Sequence, residues 1–433
     1  MDNTENNIEE KQEDKKPLTQ TELDYQAREK RVFDAIALKT PDRVPLVCQD
    51  DYFSLEQAGI TAAQAFYEPE LAAKAHIEGV SKYNWDRVCL WASFPGQVGE
   101  TLGMHTNKWA GHDLADHLDF QFVEKEYMLE DEYDEFLKDP GDFTMRKLWP
   151  RMATELEPFA MFPSLRAMSH SYAPTTDLPY MAGKPEVRRM LEKLIKAGEQ
   201  YNKFEDIRWN ATEEFKARGF PVMNALEAGA HSPFDWISDY FRGMKGTMMD
   251  MYYRPDKLKA AIDIVTDPLI ENAIMLAKEL DEKVIGIPLH RGADPFMSNE
   301  KFGEFYWPSF KKMLLDLIDA GLTPAPYFSG QFENRLEFFQ ELPPGKIWAH
   351  WDIIDLKKTR EMVGDILCFS GNVPGQVLIS GTVQQTEDYV KELIDTFGDT
   401  GGLMIDGASA IPKESKPENV MAMTETVFKY GVY

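Results

Sequence analysis

Short, nearly continuous apolar runs recur along the chain, and polar or amphipathic segments separate most of them. Parallel strands that are buried on both faces have this pattern, whereas strands with one wet face alternate apolar and polar residues. The pattern predicts eight strands, at residues 43–49, 87–94, 222–229, 284–290, 323–330, 347–353, 366–373 and 402–408.

Amphipathic helices are predicted between the later strands, at residues 255–280, 298–321, 355–364 and 386–398. Ser298 and Thr386 are predicted to begin two of them, because a hydroxyl can cap the first turn and early acidic residues suit the helix dipole. Strands that alternate with helices indicate an α/β fold, and eight of them predict a (β/α)8 TIM barrel.

One connection is too long for a loop, since about 125 residues separate the second predicted strand from the third. This insertion, at about residues 95–221, is predicted to contain a hairpin, an acidic helix and one long helix. Residues 1–21 are almost wholly polar and are predicted to be a disordered acidic tail. The remaining residues, 22–433, are predicted to form one barrel domain, which is within the size range of barrels with insertions.

The net charge of the chain limits the kinds of molecule that it can bind. The chain has 73 acidic and 47 basic residues and a formal net charge of −26, so nucleic acid and anionic membranes are excluded as partners. A small molecule or another protein is expected instead. Three separated cysteines suit a reducing compartment, and the polar N-terminus and the lack of a long apolar stretch predict a soluble, cytoplasmic protein.

The ends of the predicted strands carry the candidate chemistry, because active sites of TIM barrels lie at the carboxyl ends of the strands. Polar and ionisable residues follow nearly every strand there. They are Gln49, Asp50 and Asp51, then Ser93, Glu227, His290 with Arg291 and Asp294, Tyr327 with Ser329, His350 with Asp352, Asn372, and Asp406. We expect them to converge on one pocket.

Histidines and carboxylates that face one cavity suit a metal ion or general acid and base catalysis. Their spacing matches no short metal motif. Arg291 could bind a carboxylate or phosphate, or it could pair with Asp294. Residues 370–382 are rich in Gly and hydroxyl groups but lack the GxxxxGK[ST] pattern, so nucleotide binding is not expected.

Several stretches resemble the uroporphyrinogen decarboxylase-like superfamily. They include "AREKRVFDAIALKTPDRVPL" (27–46), "GNVPG" (371–375), a Gly-Gly pair before the last strand, and "PENV" (417–420). The resemblance covers nearly the whole chain after residue 22 and implies a TIM barrel. Decarboxylases of this superfamily carry an arginine-rich segment after the first strand, which binds the carboxylates of the substrate. This chain has the acidic "CQDD" (48–51) there, so a decarboxylase is the weaker alternative.

The chain is more similar to the corrinoid-dependent methyltransferases of the superfamily. Their thiol-activating members bind zinc through His-x-Cys at the fifth strand and a Cys on the last strand. Tyr327, Ser329 and Asp406 occupy those places here, which replaces soft thiolate ligands by oxygen. The resemblance therefore implies a demethylating enzyme that passes a methyl group between a small ether or amine substrate, as in O-demethylation, and a corrinoid on a partner protein.

The resemblance also suggests roles for the strand-end residues. We expect His290, His350 and Asp406 to donate protons or to bind a metal, for example zinc with only nitrogen and oxygen ligands. Tyr327 is expected to hydrogen-bond the leaving atom. The predicted substrate-binding residues are Arg291, Glu227, Ser329, Asn372 and Asp50. A non-catalytic barrel that only binds a corrinoid is the second alternative.

Overall fold

A computed structural model describes residues 17–50, 52–91, 93–223 and 229–433. The first helix begins at Gln20, where the Thr19 hydroxyl accepts a hydrogen bond from the Glu22 N–H and the Glu22 carboxylate accepts one from the Thr19 N–H. This reciprocal cap satisfies backbone donors that have no partner within the helix. The helix therefore starts just before the predicted end of the tail at residue 21.

From Val222 onwards each strand is followed by at least one helix, as an α/β fold requires. The helices of the first half are α1 Gln20–Ile36, α2 Phe53–Gln57, α3 Ala62–Tyr67, α4 Pro69–Ser81, α5 Gly96–Leu102, α6 Tyr133–Lys138, α7 Pro140–Phe143, α8 Trp149–Met152, α9 Asp177–Ala182 and α10 Pro185–Ala217. Those of the second half are α11 Pro233–Ile237, α12 Gly243–Tyr253, α13 Pro255–Glu279, α14 Asn299–Lys301, α15 Trp307–Asp319, α16 Leu336–Phe339, α17 Leu356–Val363, α18 Gly375–Ser380, α19 Val383–Phe397 and α20 Pro417–Tyr430.

The strands form three sheets. They are β1 Val88–Cys89, β2 Asn107–Trp109, β3 Phe120–Phe122, β4 Val222–Met223, β5 Val284–Leu289, β6 Thr323–Gln331, β7 Trp348–Ile353, β8 Cys368–Gly371 and β9 Leu403–Met404. Strands β5 to β9 form a parallel sheet in chain order, β1 pairs with β4 in parallel, and β2 pairs with β3 as an antiparallel hairpin. The predicted α/β fold is confirmed.

No strand forms at residues 43–49, and of the described residues within the predicted strands 87–94 and 402–408 only Val88–Cys89 and Leu403–Met404 are strands. Within residues 43–49 there are only isolated bridges, such as Leu46 with Ile405, and Pro45 cannot donate a hydrogen bond to a neighbouring strand. Backbone hydrogen bonds nevertheless join this segment to β9 through Ile405, and to the start of β1 through Asp86. Because residues 224–228 lie outside the described part and four predicted strands are short or absent, a closed barrel stays a prediction.

The insertion contains the elements expected from its sequence: the β2–β3 hairpin, the acidic helix α6 and the 33-residue helix α10. The predicted cap at Ser298 is confirmed, because its hydroxyl accepts the Lys301 N–H at 3.2 Å. The cap predicted at Thr386 is wrong. Helix α19 begins earlier, with Thr382 as its cap and Gln385 completing the reciprocal pair.

Aromatic side chains form much of the core between the five-stranded sheet and the helices around it. Phe328 of β6 stacks on Trp351 of β7 with ring centroids 4.1 Å apart, and Phe339 of α16 contacts both rings. All three are almost fully buried. Since side chains alternate along a strand, the neighbours of Phe328 and Trp351 in sequence point to the other face of the sheet, where the cavities lie. Of the described helices, none is long and apolar enough to span a membrane.

Candidate active site

Two cavities lie on the inner face of strands β5 to β7. The lower cavity has a volume of about 130 Å³ and is lined by Val47, Gln49, Cys89, Met223, Gly286, Ile287, Pro288, Ala325, Tyr327, Trp348, His350 and Asp406. The upper cavity has a volume of about 880 Å³ and is lined by Thr106, Asn107, Phe120, Phe122, Met152, Asp239, Tyr240, His290, Arg291, Phe296, Ser329, Gly330 and Asp352.

The two cavities follow one another along the same strands. On each of β5, β6 and β7, the step from a lower-cavity residue to an upper-cavity residue is two positions: Pro288 to His290, Tyr327 to Ser329, and His350 to Asp352. A two-residue step keeps side chains on one face of a strand and advances about 6.6 Å. The upper cavity therefore lies directly beyond the lower one, towards the carboxyl ends of the strands.

His290 is held at the upper cavity by a carboxylate on a neighbouring segment. Its Nδ1 lies 2.6 Å from Asp239 Oδ2, and Asp239 belongs to a π-helical turn, Ser238–Arg242, that continues from α11. The hydrogen bond to Asp239 raises the pKa of His290 above its usual value, and burial opposes this only in part. The imidazole is therefore charged over a wider pH range than a free histidine.

Asp235, one helical turn before Asp239, binds the backbone of the same strand end. Its carboxylate accepts the N–H groups of His290 at 3.0 Å and Arg291 at 2.9 Å, and the hydroxyl of Tyr306 at 2.7 Å. Asp235 is fully buried, and this burial raises its pKa. Asp235 therefore holds the backbone of His290 and Arg291, and Asp239 contacts the side chains of both residues.

Arg291 bridges two carboxylates. Its guanidinium lies 3.1 Å from Asp239 Oδ1 and 3.2 Å from Glu124 Oε2, and the second of these belongs to the insertion. It does not pair with Asp294, the partner considered from the sequence, because Asp294 lies 3.5 Å from Arg335 instead. Arg291 therefore links the end of β5 to the insertion that covers it.

His350 has the opposite environment in the lower cavity. Its Nε2 lies 3.2 Å from the Gly407 carbonyl oxygen and 3.0 Å from that of Ala408, and its ring packs edge-on against Tyr327 at 5.1 Å. Because carbonyl oxygens only accept, Nε2 carries the proton. Burial lowers the pKa of His350 to about 4, so the ring is neutral at pH 7 and Nδ1 is an acceptor. Asp406 Oδ2 lies 3.6 Å from that Nδ1.

Comparison with known proteins identifies the family. Residues 173–430, more than half of the chain, match the uroporphyrinogen decarboxylase (URO-D) family. The chain belongs to the URO-D family. A solved structure of a methyltransferase from Methanosarcina mazei is similar in fold, with a TM-score of 0.60 and 17% identity over 93% of this chain and 98% of that chain. No curated protein matches the chain significantly.

In this URO-D family member, two of the predicted substrate-binding residues, Asp50 and Asn372, line neither cavity. A third, Glu227, is not among the described residues. Asp50 is buried, accepts the Ser54 N–H and lies 3.7 Å from His76. The Asn372 side chain contacts the Asp352 carbonyl oxygen and the Tyr389 hydroxyl. The single pocket expected from the sequence is therefore divided.

The three predicted metal ligands do not line the same cavity. His290 lines the upper cavity, whereas His350 and Asp406 line the lower one. Within the described ranges, no three His, Cys, Asp or Glu side chains are grouped closely enough to hold a metal ion. The predicted ligand set is therefore split between two cavities, and metal binding stays a prediction.

Sequence reasoning missed the two carboxylates that position His290 and Arg291. A signal for them existed in "SPFDWISDYF" (232–241), where Ser232 and Pro233 begin a helix and Asp235 and Asp239 are four residues apart. Residues with this spacing lie on one face of a helix. The contact of that face with the end of β5 depends on tertiary packing, which the spacing does not specify.

Proposed function

We propose that the protein is a cytoplasmic methyltransferase that passes a methyl group between a small methylated substrate, of the ether or amine type, and a corrinoid carried by a partner protein. Membership of the URO-D family supports an enzyme of this superfamily, and the similar fold of a methyltransferase is consistent with the proposal. The observation that carries it is the hydrogen bond between His290 and Asp239 at a wide cavity of about 880 Å³.

The proposed chemistry needs a proton donor. Methyl ethers and amines have poor leaving groups, so the departing oxygen or nitrogen must be stabilised as it gains negative charge or an electron pair. With Nδ1 of His290 bonded to Asp239, Nε2 is the ring nitrogen that can give a proton to a bound substrate. Asp239 stabilises the charged ring, and Asp235 fixes the backbone that carries it.

The partner's corrinoid would supply the cobalt centre that accepts the methyl group. The side chains that fit the flat face of such a macrocycle are apolar or aromatic, namely Phe120, Phe122, Met152, Tyr240 and Phe296. Three of them belong to the insertion, so the insertion would form one wall of the cavity towards the partner.

A uroporphyrinogen decarboxylase is the rival function, and the charges of the upper cavity oppose it. Of the described residues that line this cavity, Arg291 is the one Lys or Arg, and it is already paired with Asp239 and Glu124. Asp239 and Asp352 add negative charge, which would repel a substrate with eight carboxylates. In an anaerobic assay we expect no coproporphyrinogen from uroporphyrinogen, and its formation would favour the decarboxylase.

The proposed activity can be tested with purified protein, the corrinoid protein of the same organism and a panel of methyl ethers and methylamines. We expect corrinoid methylation, followed by its visible absorption, with at least one compound of the panel. The non-catalytic alternative predicts binding of the corrinoid protein without any methylation. Failure with every methyl donor, while the corrinoid protein binds, would therefore contradict the proposed function.

We also propose that the strands close into the (β/α)8 barrel expected of this family. The hydrogen bonds from residues 45–47 to Ile405, from Asp86 to Leu46 and from Ala230 to Gly286 are consistent with closure. A crystal structure would test it, because a closed barrel requires hydrogen bonds between β4 and β5 as well as between the segment at residues 43–49 and its two neighbours.

A further inference from the structure

The lower cavity is large enough to bind a molecule of its own. Its volume of about 130 Å³ is close to that of an engineered protein cavity of about 150 Å³ that binds benzene. Most of its wall is apolar and includes Val47, Met223, Ile287, Ala325 and Trp348. A ligand of about six carbon atoms would therefore find apolar contacts on most sides.

One end of the lower cavity is polar, and the two acceptor atoms at this end could share a hydrogen-bond donor from a ligand. His350 Nδ1 and Asp406 Oδ2 are 3.6 Å apart, which is too long for a direct hydrogen bond, since N–H···O distances are about 2.7–3.2 Å. Nδ1 is the nitrogen of the neutral ring that can accept a hydrogen bond. A hydroxyl placed beside this gap could donate to the imidazole nitrogen or to the carboxylate.

The charge of Asp406 does not require a cationic ligand. Its Oδ1 accepts the backbone N–H groups of Gly407 at 2.7 Å and Gln49 at 3.1 Å, so the carboxylate already has donors. Burial of an ammonium group in this cavity would also cost desolvation energy. An acceptor on the ligand would suit the Trp348 indole N–H, which is buried without a partner among the described residues. A neutral hydroxyl group both donates and accepts.

We propose that the lower cavity is a binding site for a small, uncharged hydroxyl compound with an apolar body of about six carbons, whose hydroxyl group hydrogen-bonds the His350–Asp406 pair. This site is separate from the upper cavity and does not depend on the proposed methyl transfer.

Calorimetric titration with phenol and with benzene tests the site, because the two probes differ only in the hydroxyl group. We expect one phenol to bind per chain and benzene to bind at least about tenfold more weakly, which corresponds to one hydrogen bond to a charged or polar partner. Equal affinity for the two probes, no phenol binding, or tighter binding of methylammonium than of phenol would overturn the proposal.

Two matched variants locate the binding. Ala325→Leu fills the lower cavity, whereas Ser329→Leu places the same side chain further along β6, at the upper cavity. We expect the first to abolish phenol binding and the second to leave the affinity within about twofold, with circular dichroism as the check on folding. The reverse result would place phenol in the upper cavity and overturn the proposal.

Asp406→Asn provides a test that does not depend on tolerance of a larger side chain. The amide group can donate to His350 Nδ1 and so compete with the ligand for the gap. We expect the affinity for phenol to fall to that for benzene, while the affinity for benzene stays unchanged. An unchanged preference for phenol would show that the His350–Asp406 pair does not bind the hydroxyl group.

Discussion

The two strand-end histidines show how differently one residue type behaves in two adjoining cavities. His290 has 41% of its side chain exposed and is bonded to a carboxylate, which raises its pKa. His350 has 10% of its side chain exposed and is bonded to backbone carbonyl groups, and burial lowers its pKa to about 4. Near pH 7 the first is suited to donate a proton and the second to accept a hydrogen bond.

The partners of each histidine explain the difference. Asp239 contributes a full negative charge at 2.6 Å, which stabilises the imidazolium form of His290. The carbonyl groups of Gly407 and Ala408 contribute only partial charges, too little to offset the cost of charging a buried ring. Asp406 approaches no closer than 3.6 Å to His350. The distance from the imidazole to the nearest carboxylate therefore decides whether the histidine is suited to donate a proton or to accept a hydrogen bond.

The largest expected effect concerns the charged histidine. Because general acid catalysis contributes about 10²–10⁴-fold, His290→Gln should lower the rate of corrinoid methylation by that factor while leaving the protein folded. His112→Gln is the matched control, since His112 has 42% of its side chain exposed and contacts Asp113 at 2.9 Å but lines neither cavity. A loss of less than tenfold in His290→Gln would remove the proton-donor role.

The next effect concerns the anchor of that histidine. Asp235→Ala leaves two backbone N–H groups and the Tyr306 hydroxyl without their buried acceptor. We expect a decrease of about 4 kcal/mol in the free energy of unfolding, since each buried donor left unsatisfied costs about 1–3 kcal/mol.

Urea denaturation measures this change, with Asp365→Ala as the control. Asp365 has 83% of its side chain exposed, so its replacement should change the stability by less than about 0.5 kcal/mol. A decrease of less than about 1 kcal/mol in Asp235→Ala would mean that water or a rearranged backbone satisfies the three donors.

The sequence was sufficient to predict much of the fold, because the period of apolar residues reflects local burial. Strands β5 to β8, helix α10 and the β2–β3 hairpin lie where the pattern placed them. Thr386 was mistaken for a helix cap because acidic residues follow it, whereas Thr382 with Gln385 forms the reciprocal cap. Both candidates have the required hydroxyl group, and only the course of the preceding backbone decides between them.

The division of the site could not be predicted, because it depends on strand register. His350 pairs with Tyr327, whereas Leu289 pairs with Phe328, which places His290 level with Ser329. His290 therefore lies about two residues further along the strand direction than His350. The predicted strands place His290 last in residues 284–290 and His350 fourth in residues 347–353. Only the pairing register shows how the two strands are offset against each other.

A third prediction uses the opposite pKa shifts. The folded-state pKa of His350, about 4, is below the unfolded value of about 6.5, so its contribution to stability is complete above pH 6.5 and is lost as the pH falls towards 4. This loss should be at most about 3 kcal/mol and should be absent in His350→Gln. His290 has the opposite sign: its contribution is complete below pH 6.5 and is lost as the pH rises through its raised pKa.

The measurement is the free energy of unfolding between pH 4 and pH 8 for the wild-type protein and both Gln variants. The advantage of the wild type over His350→Gln should shrink on acidification, whereas its advantage over His290→Gln should shrink on alkalinisation. Two differences with the same sign of pH dependence would mean that the two environments are not distinct, and the proposed division of roles would be wrong.

The smallest expected effect concerns Arg291, which supports the charged site without giving up a proton. Its Nη2 lies within 3.2 Å of both Asp239 and Glu124, and its Nε donates to the Ser238 hydroxyl at 3.4 Å. The single ammonium nitrogen of a lysine cannot keep all three contacts. Arg291→Lys should therefore lower kcat/KM for corrinoid methylation by about tenfold, or about 1.4 kcal/mol, well below the loss in His290→Gln. Arg166→Lys, at an exposed pair with Asp139, is the control and should have no effect.

If Arg291→Lys is as severe as His290→Gln, Arg291 itself contacts the reacting group. If it is neutral, the link between β5 and the insertion is not needed for catalysis.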